Sequence, residues 1–267
     1  MTAAAVAAAL ALVVTGCAPA LREPPPVSTL APGRSGAGGA AELVRAADTA
    51  WVRRADSRAA EEAQALYLDA AATDEQRVDG LLGAMRAMAF RIEREREAPV
   101  RARLAQEQVQ LGQWCQRRAP SEAACDYRLA IALGQQARER ASTGKDALGK
   151  MVELLRKAIA AAPQLDSGGP HRVLALVLLR APGWPVGPGD PEAALGEARA
   201  AAELFPDAPE NQLALAEALG KNGSSDAARV AYQRALDLAT AAREAGDPEA
   251  DRWRAEASAG LERHTGR

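Results

Sequence analysis

Three prolines recur at a constant interval in the middle part of the chain. Pro120, Pro163 and Pro206 lie 43 residues apart. A small residue stands five positions before each of them: Cys115, Ala158 and Ala201. Because proline has no backbone N–H and clashes with the preceding helical turn, each pair predicts the end of a helix. A chain that ends helices at so regular a spacing is restricted to a series of similar helical units.

A second interval, of 34 residues, recurs near the end of the chain. Ala194 and Ala201 return as Ala228 and Ala235, with Tyr232 between the later pair. The interval and the small, aromatic, small pattern are those of the tetratricopeptide repeat (TPR). In the helix predicted over 226–239, the apolar residues form one face: Ala228, Ala231, Tyr232, Ala235, Leu236 and Ala239. The predicted fold class is therefore all-α, a TPR-like α-solenoid of antiparallel helix pairs with one long inserted loop.

Two identical strings mark helix starts. Residues 189–193 and 246–250 both read Gly-Asp-Pro-Glu-Ala. An aspartate cap, a proline in the first helical position and a glutamate near the positive helix end together predict a helix N-terminus. Aromatic residues make up only 3% of the chain, which disfavours strands. A genomic base bias would also explain the abundant alanine, but it would not produce intervals of 34 and 43 residues.

The inserted loop is the most distinctive segment. A short helix is predicted over 169–180, and the next eleven residues, 181–191, contain four prolines and three glycines. Those residues remove hydrogen-bond donors and disfavour helical backbone angles, so the helix resumes only at Pro191. A long, stiff turn on a rigid repeat scaffold is typical of a segment used for binding or assembly.

The N-terminus predicts the compartment. Ala3 to Val14 is an apolar run too short to cross a bilayer core of about 30 Å. It ends in Val14-Thr15-Gly16-Cys17, which resembles a bacterial lipoprotein signal, although no basic residue precedes the run. The resemblance implies a signal peptide over 1–16 and acylation of Cys17, including palmitate. The alternative is an alanine-rich leader with a chance cysteine.

Residues 17–40 are rich in proline, glycine and alanine and are predicted to form a flexible, lipid-anchored tether. Alanine, not aspartate, follows Cys17. By analogy with enterobacterial sorting, the predicted location is the outer membrane, facing the periplasm. The repeat domain is assigned to 41–264.

Charge and cysteine content narrow the function classes. The net charge is −2 and no basic face is concentrated enough to predict nucleic-acid binding. Cys115 and Cys125 flank Pro120 symmetrically. In an oxidising compartment they would form a disulfide, and otherwise they would remain two buried thiols.

No catalytic or metal-binding set is apparent. The only histidines are His171 and His264, and neither a zinc site nor a serine–histidine–aspartate triad can be assembled around them. Gly144-Lys145-Asp146 lacks the residues of a phosphate loop, and Gly187-Pro188-Gly189 lacks the third glycine of a dinucleotide turn. The prediction is a protein without enzymatic activity, cofactor or metal.

Several strings together resemble one family, the T component of tripartite ATP-independent periplasmic (TRAP) transporters. The strings lie at 168–172, 180–185, 189–191, 205–211 and 252–256, and the resemblance spans about Leu104 to Leu261. Within them, Arg180-Ala181-Pro182-Gly183-Trp184-Pro185 is the most specific. The resemblance implies a periplasmic TPR lipoprotein, a homo-oligomer and specifically a trimer. It would dock the transporter's solute-binding protein and handle a small, hydrophobic organic ligand.

Four residues in and beside the loop are candidates for ligand or partner contact: Arg180, Trp184, His171 and Arg172. An aromatic ring with arginines is a common hot-spot composition. Under the alternative interpretation, Trp184 folds back as a plug, Arg180 caps helix-end carbonyls and His171 is an ordinary surface residue. Trp253 is expected in the core. Two other functions remain open: a scaffold for envelope or outer-membrane assembly, and, less favoured, an accessory domain of a cell-wall hydrolase.

Overall fold

The structure is a computed structural model that describes residues 19–31, 33 and 38–265. A short 3₁₀ turn at Val27–Thr29 precedes the α-helices. The helices in the described ranges are α1 (Ala40–Val52), α2 (Ser57–Thr73), α3 (Asp79–Ile92), α4 (Ala98–Arg118), α5 (Ala123–Glu139), α6 (Gly144–Ala161), α7 (Leu165–Arg180), α8 (Pro191–Leu204), α9 (Pro209–Lys221), α10 (Ser225–Glu244) and α11 (Ala250–Thr265). A second 3₁₀ turn, Ala141–Thr143, joins α5 to α6. These ranges contain no strand, only an isolated bridge between Gly183 and Gly189.

Each helix packs against the next, and the odd-numbered helices also contact one another in series from α1 to α11. The even-numbered helices therefore form a second, outer layer. This is an α-solenoid of stacked helix pairs, and the predicted fold class is confirmed.

The predicted helix ends agree with the structure. Pro120, Pro163 and Pro206 each lie in the connection between two helices. At the start of α8, the Asp190 carboxylate accepts hydrogen bonds from the backbone N–H groups of Glu192 (3.1 Å) and Ala193 (3.0 Å). The repeated string at 246–250 behaves differently, because α11 begins only at Ala250. There the Asp247 carboxylate accepts from the Glu249 N–H at 2.8 Å, within a turn before the helix.

The core consists of alanine and leucine faces pressed together. On α10, the predicted face is buried, with Tyr232 only 3% exposed and Leu236 partly covered. Tyr232 packs where Gly260 of α11 leaves room, and Tyr67 of α2 packs against Gly83 of α3 in the same way. Small residues thus allow the helix pairs to approach closely. Trp253 is buried as expected, at 7% exposure.

Part of the predicted flexible tether is packed. Residues 19–31, called the strap below, lie on the outer layer, where Ala20 (1% exposed) and Val27 (5% exposed) are buried. The Trp114 indole N–H donates to the carbonyl of Pro25 at 2.8 Å, and Arg117 makes two hydrogen bonds of 2.7 Å to Glu23. The expectation of flexibility fails here because α4 supplies side-chain donors that composition does not reveal. The signal peptide (1–16) and Cys17 lie outside the described residues.

The two candidate cysteines are adjacent. Cys115 near the end of α4 and Cys125 near the start of α5 form a disulfide in the structure, with their Cα atoms 5.3 Å apart. Both are fully buried. Of the two arrangements that the sequence left open, the structure has the bonded one.

Candidate functional site

A left-handed turn at the start of α7 positions the centre of the site. Asp166, Ser167 and Gly168 have φ values of 50°, 54° and 80°. These values lie in the left-handed region, which residues other than glycine rarely adopt. Asn211 of α9, which is fully buried, donates from its side-chain amide to the carbonyls of Ser167 (2.9 Å) and Ala201 (3.0 Å). After Gly168 the backbone returns to helical angles and α7 continues to Arg180. The turn is therefore held from a neighbouring helix pair.

Arg172 completes this support. Its guanidinium donates to the side-chain oxygen of Asn211 at 2.8 Å and reaches the carbonyls of Asp166 and Ser167 at 3.4 Å. The residue is 9% exposed. Its charge is balanced at longer range by the carboxylates of Asp166 (3.8 Å) and Glu210 (3.9 Å).

The turn presents Asp166 to Tyr127 of α5. The Tyr127 hydroxyl donates to Asp166 at 2.6 Å, and Arg128 lies 3.7 Å from the same carboxylate. Burial alone would raise the pKa of Asp166, but Arg128, the Tyr127 hydroxyl and Arg172 outweigh it, so the pKa is lowered. Burial, together with the Asp166 charge, raises the pKa of Tyr127. Asp166 is thus a carboxylate and Tyr127 a neutral donor near neutral pH.

Around this cluster the odd-numbered helices line a continuous groove of about 520 Å³. Its apolar side chains include Ile131, Val173, Leu176 and Leu213. Its charged side chains are of both signs, with seven arginines and five acidic residues: Arg54, Arg86, Arg128, Arg138, Arg172, Arg180, Arg252, Glu93, Asp166, Glu210, Glu249 and Glu256. The groove therefore combines apolar side chains with many charged ones, and arginines outnumber acidic residues in its lining.

One end of the groove is rich in arginine and aromatic rings. The guanidinium carbons of Arg54 and Arg86 lie 5.0 and 4.7 Å from the ring centre of Trp51, which also packs edge-on against Phe90 at 5.3 Å. Arg94 donates to the carbonyl of Pro248 at 3.0 Å. This contact joins the end of α3 to the turn before α11, so the superhelix curves back towards its own start.

The inserted loop, residues 181–190, is folded tightly. The Gly189 N–H donates to the carbonyl of Pro182 at 2.8 Å, and the Asp190 N–H donates to the carbonyl of Leu178 at 2.9 Å. A Cβ on Gly187 or Gly189 would collide with the backbone around Pro182, so glycine is needed at both positions. At the tip, the Trp184 side chain is 90% exposed. Trp184 does not plug a groove in the structure.

The four predicted contact residues do not form one cluster. Arg172 and Arg180 line the groove, whereas Trp184 is at the loop tip. Arg180 makes a double hydrogen bond to Glu217, at 3.1 and 2.6 Å, rather than capping helix-end carbonyls. His171 is partly buried, with its Nδ1 atom 2.6 Å from Glu197. The structure therefore separates a groove from a loop surface.

Sequence reasoning misses most of the groove. It does not single out Asp166, Tyr127, Asn211 or Trp51 as site residues. Only Asn211 carries a signal, because it belongs to the Phe205–Asn211 string of the resemblance. The others are brought together by helices far apart in the chain.

In the part of the chain that the structure describes, no three histidine, cysteine or acidic side chains are placed to hold a metal ion. No described helix has the length and hydropathy needed to cross a membrane.

This geometry, a superhelix of antiparallel helix pairs with a groove lined by one layer, defines a TPR-type α-solenoid. Solved structures agree. TTC0263, described as a thermophilic TPR protein in Thermus thermophilus, has a TM-score of 0.61 and 19% identity over 84% of this chain and 99% of its own. Yeast Tom70 has a TM-score of 0.51 and 16% identity over 84% of this chain and 40% of its own. No family model matches the sequence, and the comparison with curated proteins finds no match.

Proposed function

We propose that this protein is a non-enzymatic, lipid-anchored interaction scaffold that docks a periplasmic solute-binding protein and assists uptake of a small organic solute by a TRAP-type transporter. The observation that carries the proposal is Trp184, 90% exposed at the tip of a tightly hydrogen-bonded loop. This exposed aromatic ring has little packing against the rest of the protein, so a partner could cover it. Tryptophan is strongly enriched among the residues that dominate binding energies at interfaces.

The loop is suited to docking because it is rigid before it binds. Val186 beside Trp184 is 67% exposed, so the tip offers adjacent apolar surfaces. A preformed loop avoids much of the entropy cost of ordering that a flexible segment would incur on binding. The Arg180-Ala181-Pro182-Gly183-Trp184-Pro185 string is also the most specific part of the TRAP resemblance, and it is this string that favours a solute-binding protein as the partner.

The groove is the proposed ligand site. Its apolar residues suit the hydrocarbon part of a small organic molecule, and its arginines suit a negatively charged group on that molecule. The same proposal includes three further points. The protein is located at the periplasmic side of the outer membrane, it is acylated at Cys17, and it assembles as a homo-oligomer, specifically a trimer.

A photoreactive amino acid at position 184 tests the docking role. In whole cells, irradiation is expected to give an adduct whose mass-spectrometric identity is a solute-binding protein. The same photoreactive residue at Val230, an equally apolar position on α10 that is 68% exposed, is the control and should give no such adduct. Trp184→Ala should reduce solute uptake while leaving the helical circular-dichroism signal unchanged.

The outcome separates the two interaction functions. An adduct with an outer-membrane assembly component would favour the alternative, a scaffold for envelope or outer-membrane assembly. The absence of any adduct at position 184, together with normal uptake in Trp184→Ala cells, would contradict both docking functions for the loop.

A further inference from the structure

The strap follows one side of the solenoid. From Ala20 onwards it contacts α6, then α4, and its 3₁₀ turn at Val27–Thr29 contacts α2. These are all even-numbered helices, whereas the groove is lined from the odd-numbered ones. The strap and the groove therefore lie on opposite layers of the molecule.

The strap's sequence explains how it is held. Pro24, Pro25 and Pro26 favour an extended backbone and have no N–H groups to satisfy. The carbonyls of Arg22 and Pro25 accept hydrogen bonds of 2.8 Å from the side chains of Gln113 and Trp114. Leu21 and Leu30 pack against the core on either side of these bonds. Apolar contacts and hydrogen bonds thus fix the strap along its length.

The described chain begins close to α6. The backbone N–H of Ala20 donates to the Asp146 carboxylate in the first turn of α6 at 2.8 Å. Cys17 is three residues earlier, and three extended residues span at most about 10 Å. A free tether over 17–40 would instead have a root-mean-square length of about 27 Å. A lipid on Cys17 is therefore kept near the N-terminus of α6.

We infer that the outer, even-numbered layer around the start of α6 rests on the phospholipid surface, and that the groove opens away from the bilayer. This inference depends on the proposed acylation of Cys17. The length of chain between Cys17 and Ala20 identifies the occupant of this face as the membrane that receives the acyl chains.

The charges at this face are compatible with anionic headgroups. Three of the chain's lysines, Lys145, Lys150 and Lys157, are in α6, and Lys145 and the neighbouring strap residue Arg22 are exposed. The acidic groups nearby are engaged: Asp146 accepts from Ala20, and Glu153 pairs with Lys150 (3.0 Å) and Lys157 (2.7 Å). Lys145 and Arg22 thus remain available to lipid phosphates.

Fluorescence quenching in vesicles tests the orientation. The mature acylated protein, with Cys17 as its first residue, is inserted in phosphatidylethanolamine and phosphatidylglycerol vesicles that contain a headgroup-spin-labelled lipid. A fluorescent amino acid replaces Lys145 in one variant and Arg252, on the odd-numbered α11, in the other. Quenching at position 145 is expected to exceed quenching at position 252 several-fold. Equal quenching, or stronger quenching at position 252, would overturn the inference.

Strap variants test the cause. Glu23→Lys with Val27→Asp opposes Arg117 and places a charge at a buried strap position without altering any solenoid residue. It should equalise the quenching at the two positions, whereas Glu42→Lys on the exposed face of α1 should preserve the contrast. Persistence of the contrast in the strap variant would show that the strap does not set the orientation. Mass spectrometry of each preparation distinguishes the two proposals, because an unacylated protein contradicts the lipid anchor itself.

Discussion

Asn211 has an unusually large structural role for a single residue. Its side-chain amide donates to the carbonyls of Ser167, Ala201 and Phe205 at 2.9 to 3.2 Å. Its side-chain oxygen accepts from Arg172 at 2.8 Å. Since the residue is fully buried, water cannot replace these partners without opening the structure. One amide therefore joins α7, α8 and α9 beneath the left-handed turn.

Replacing Asn211 with alanine should lower the free energy of unfolding by about 2–4 kcal/mol, because it removes the hydrogen bonds that a fully buried amide makes to three carbonyls and to Arg172. Asn222→Ala is the matched control. Asn222 donates to two carbonyls at 2.8 Å but is exposed, so its loss should cost less than about 1 kcal/mol. Urea denaturation followed by circular dichroism measures both. Equal losses would show that burial of Asn211 is unimportant.

At this scale, sequence reasoning succeeds for residues with local signals. The Asp190 cap is evident because its partners are two and three residues away. The Asp166 turn is not predictable in this way, because its positive φ values depend on Asn211, more than 40 residues later. The exposure of Trp184 cannot be predicted from the sequence for the same reason. Only the folded loop shows whether the ring has a groove to pack into.

In two pairs of neighbouring helices, a tyrosine ring on one helix packs against a glycine on the next. A Cβ added at Gly260 of α11 would overlap the Tyr232 ring of α10, and one added at Gly83 of α3 would overlap the Tyr67 ring of α2. In each pair a bulky residue on an even-numbered helix is accommodated by a missing side chain on the next helix. The close approach is thus a property of both helices.

Gly260→Ala should destabilise the protein by about 1–3 kcal/mol, because Tyr232 must leave its site or the helices must separate. Gly196→Ala on α8 should have the opposite sign. Nothing lies within 4 Å of its added Cβ, and alanine is favoured over glycine in a helix by about 0.5–1 kcal/mol. Thermal and urea unfolding of the two variants decide this. A stabilised Gly260→Ala protein would contradict the packing described.

The disulfide between α4 and α5 closes a loop with a sequence separation of 10. Reduction should lower the free energy of unfolding by about 3 kcal/mol, through the added entropy of the unfolded chain. Urea titrations with and without dithiothreitol measure the difference. The Cys115→Ala, Cys125→Ala double variant should not respond to dithiothreitol. A wild-type protein equally insensitive to the reductant would indicate that the bond does not form.

The sequence predicts individual helices and loops better than it predicts the contacts between them. Helices at 169–180 and 226–239 and the loop between α7 and α8 follow from local periodicity and backbone-breaking residues, which operate within a few positions. The strap is predicted as a flexible tether because its proline-rich composition is that of a linker. Its packing depends on Gln113, Trp114 and Arg117, about 90 residues away in the chain. No local sequence pattern predicts these contacts.

The described residues form two buried clusters of unequal size. The larger extends from the strap through α1 to α8, reaches Ala218 of α9, and includes many leucines and methionines. The smaller covers α9 to α11, and seven of its eleven buried residues are alanines. An alanine side chain buries less apolar surface than a leucine, so it contributes less to stability. The strap and the disulfide add further restraints, and both act on α2 to α6.

Because each unit of a solenoid is stabilised mainly by its neighbours, the C-terminal helices should open without unfolding the rest. In hydrogen–deuterium exchange, amides of α10 are expected to exchange with a lower opening free energy than amides of α4 and α5. Reduction of the disulfide is the internal control. It should speed exchange in α4 and α5 and leave α10 unchanged, since that helix is remote from the bond. If all helices instead exchanged with one common free energy, the contact between Arg94 and Pro248 would have to couple the two clusters into a single cooperative unit.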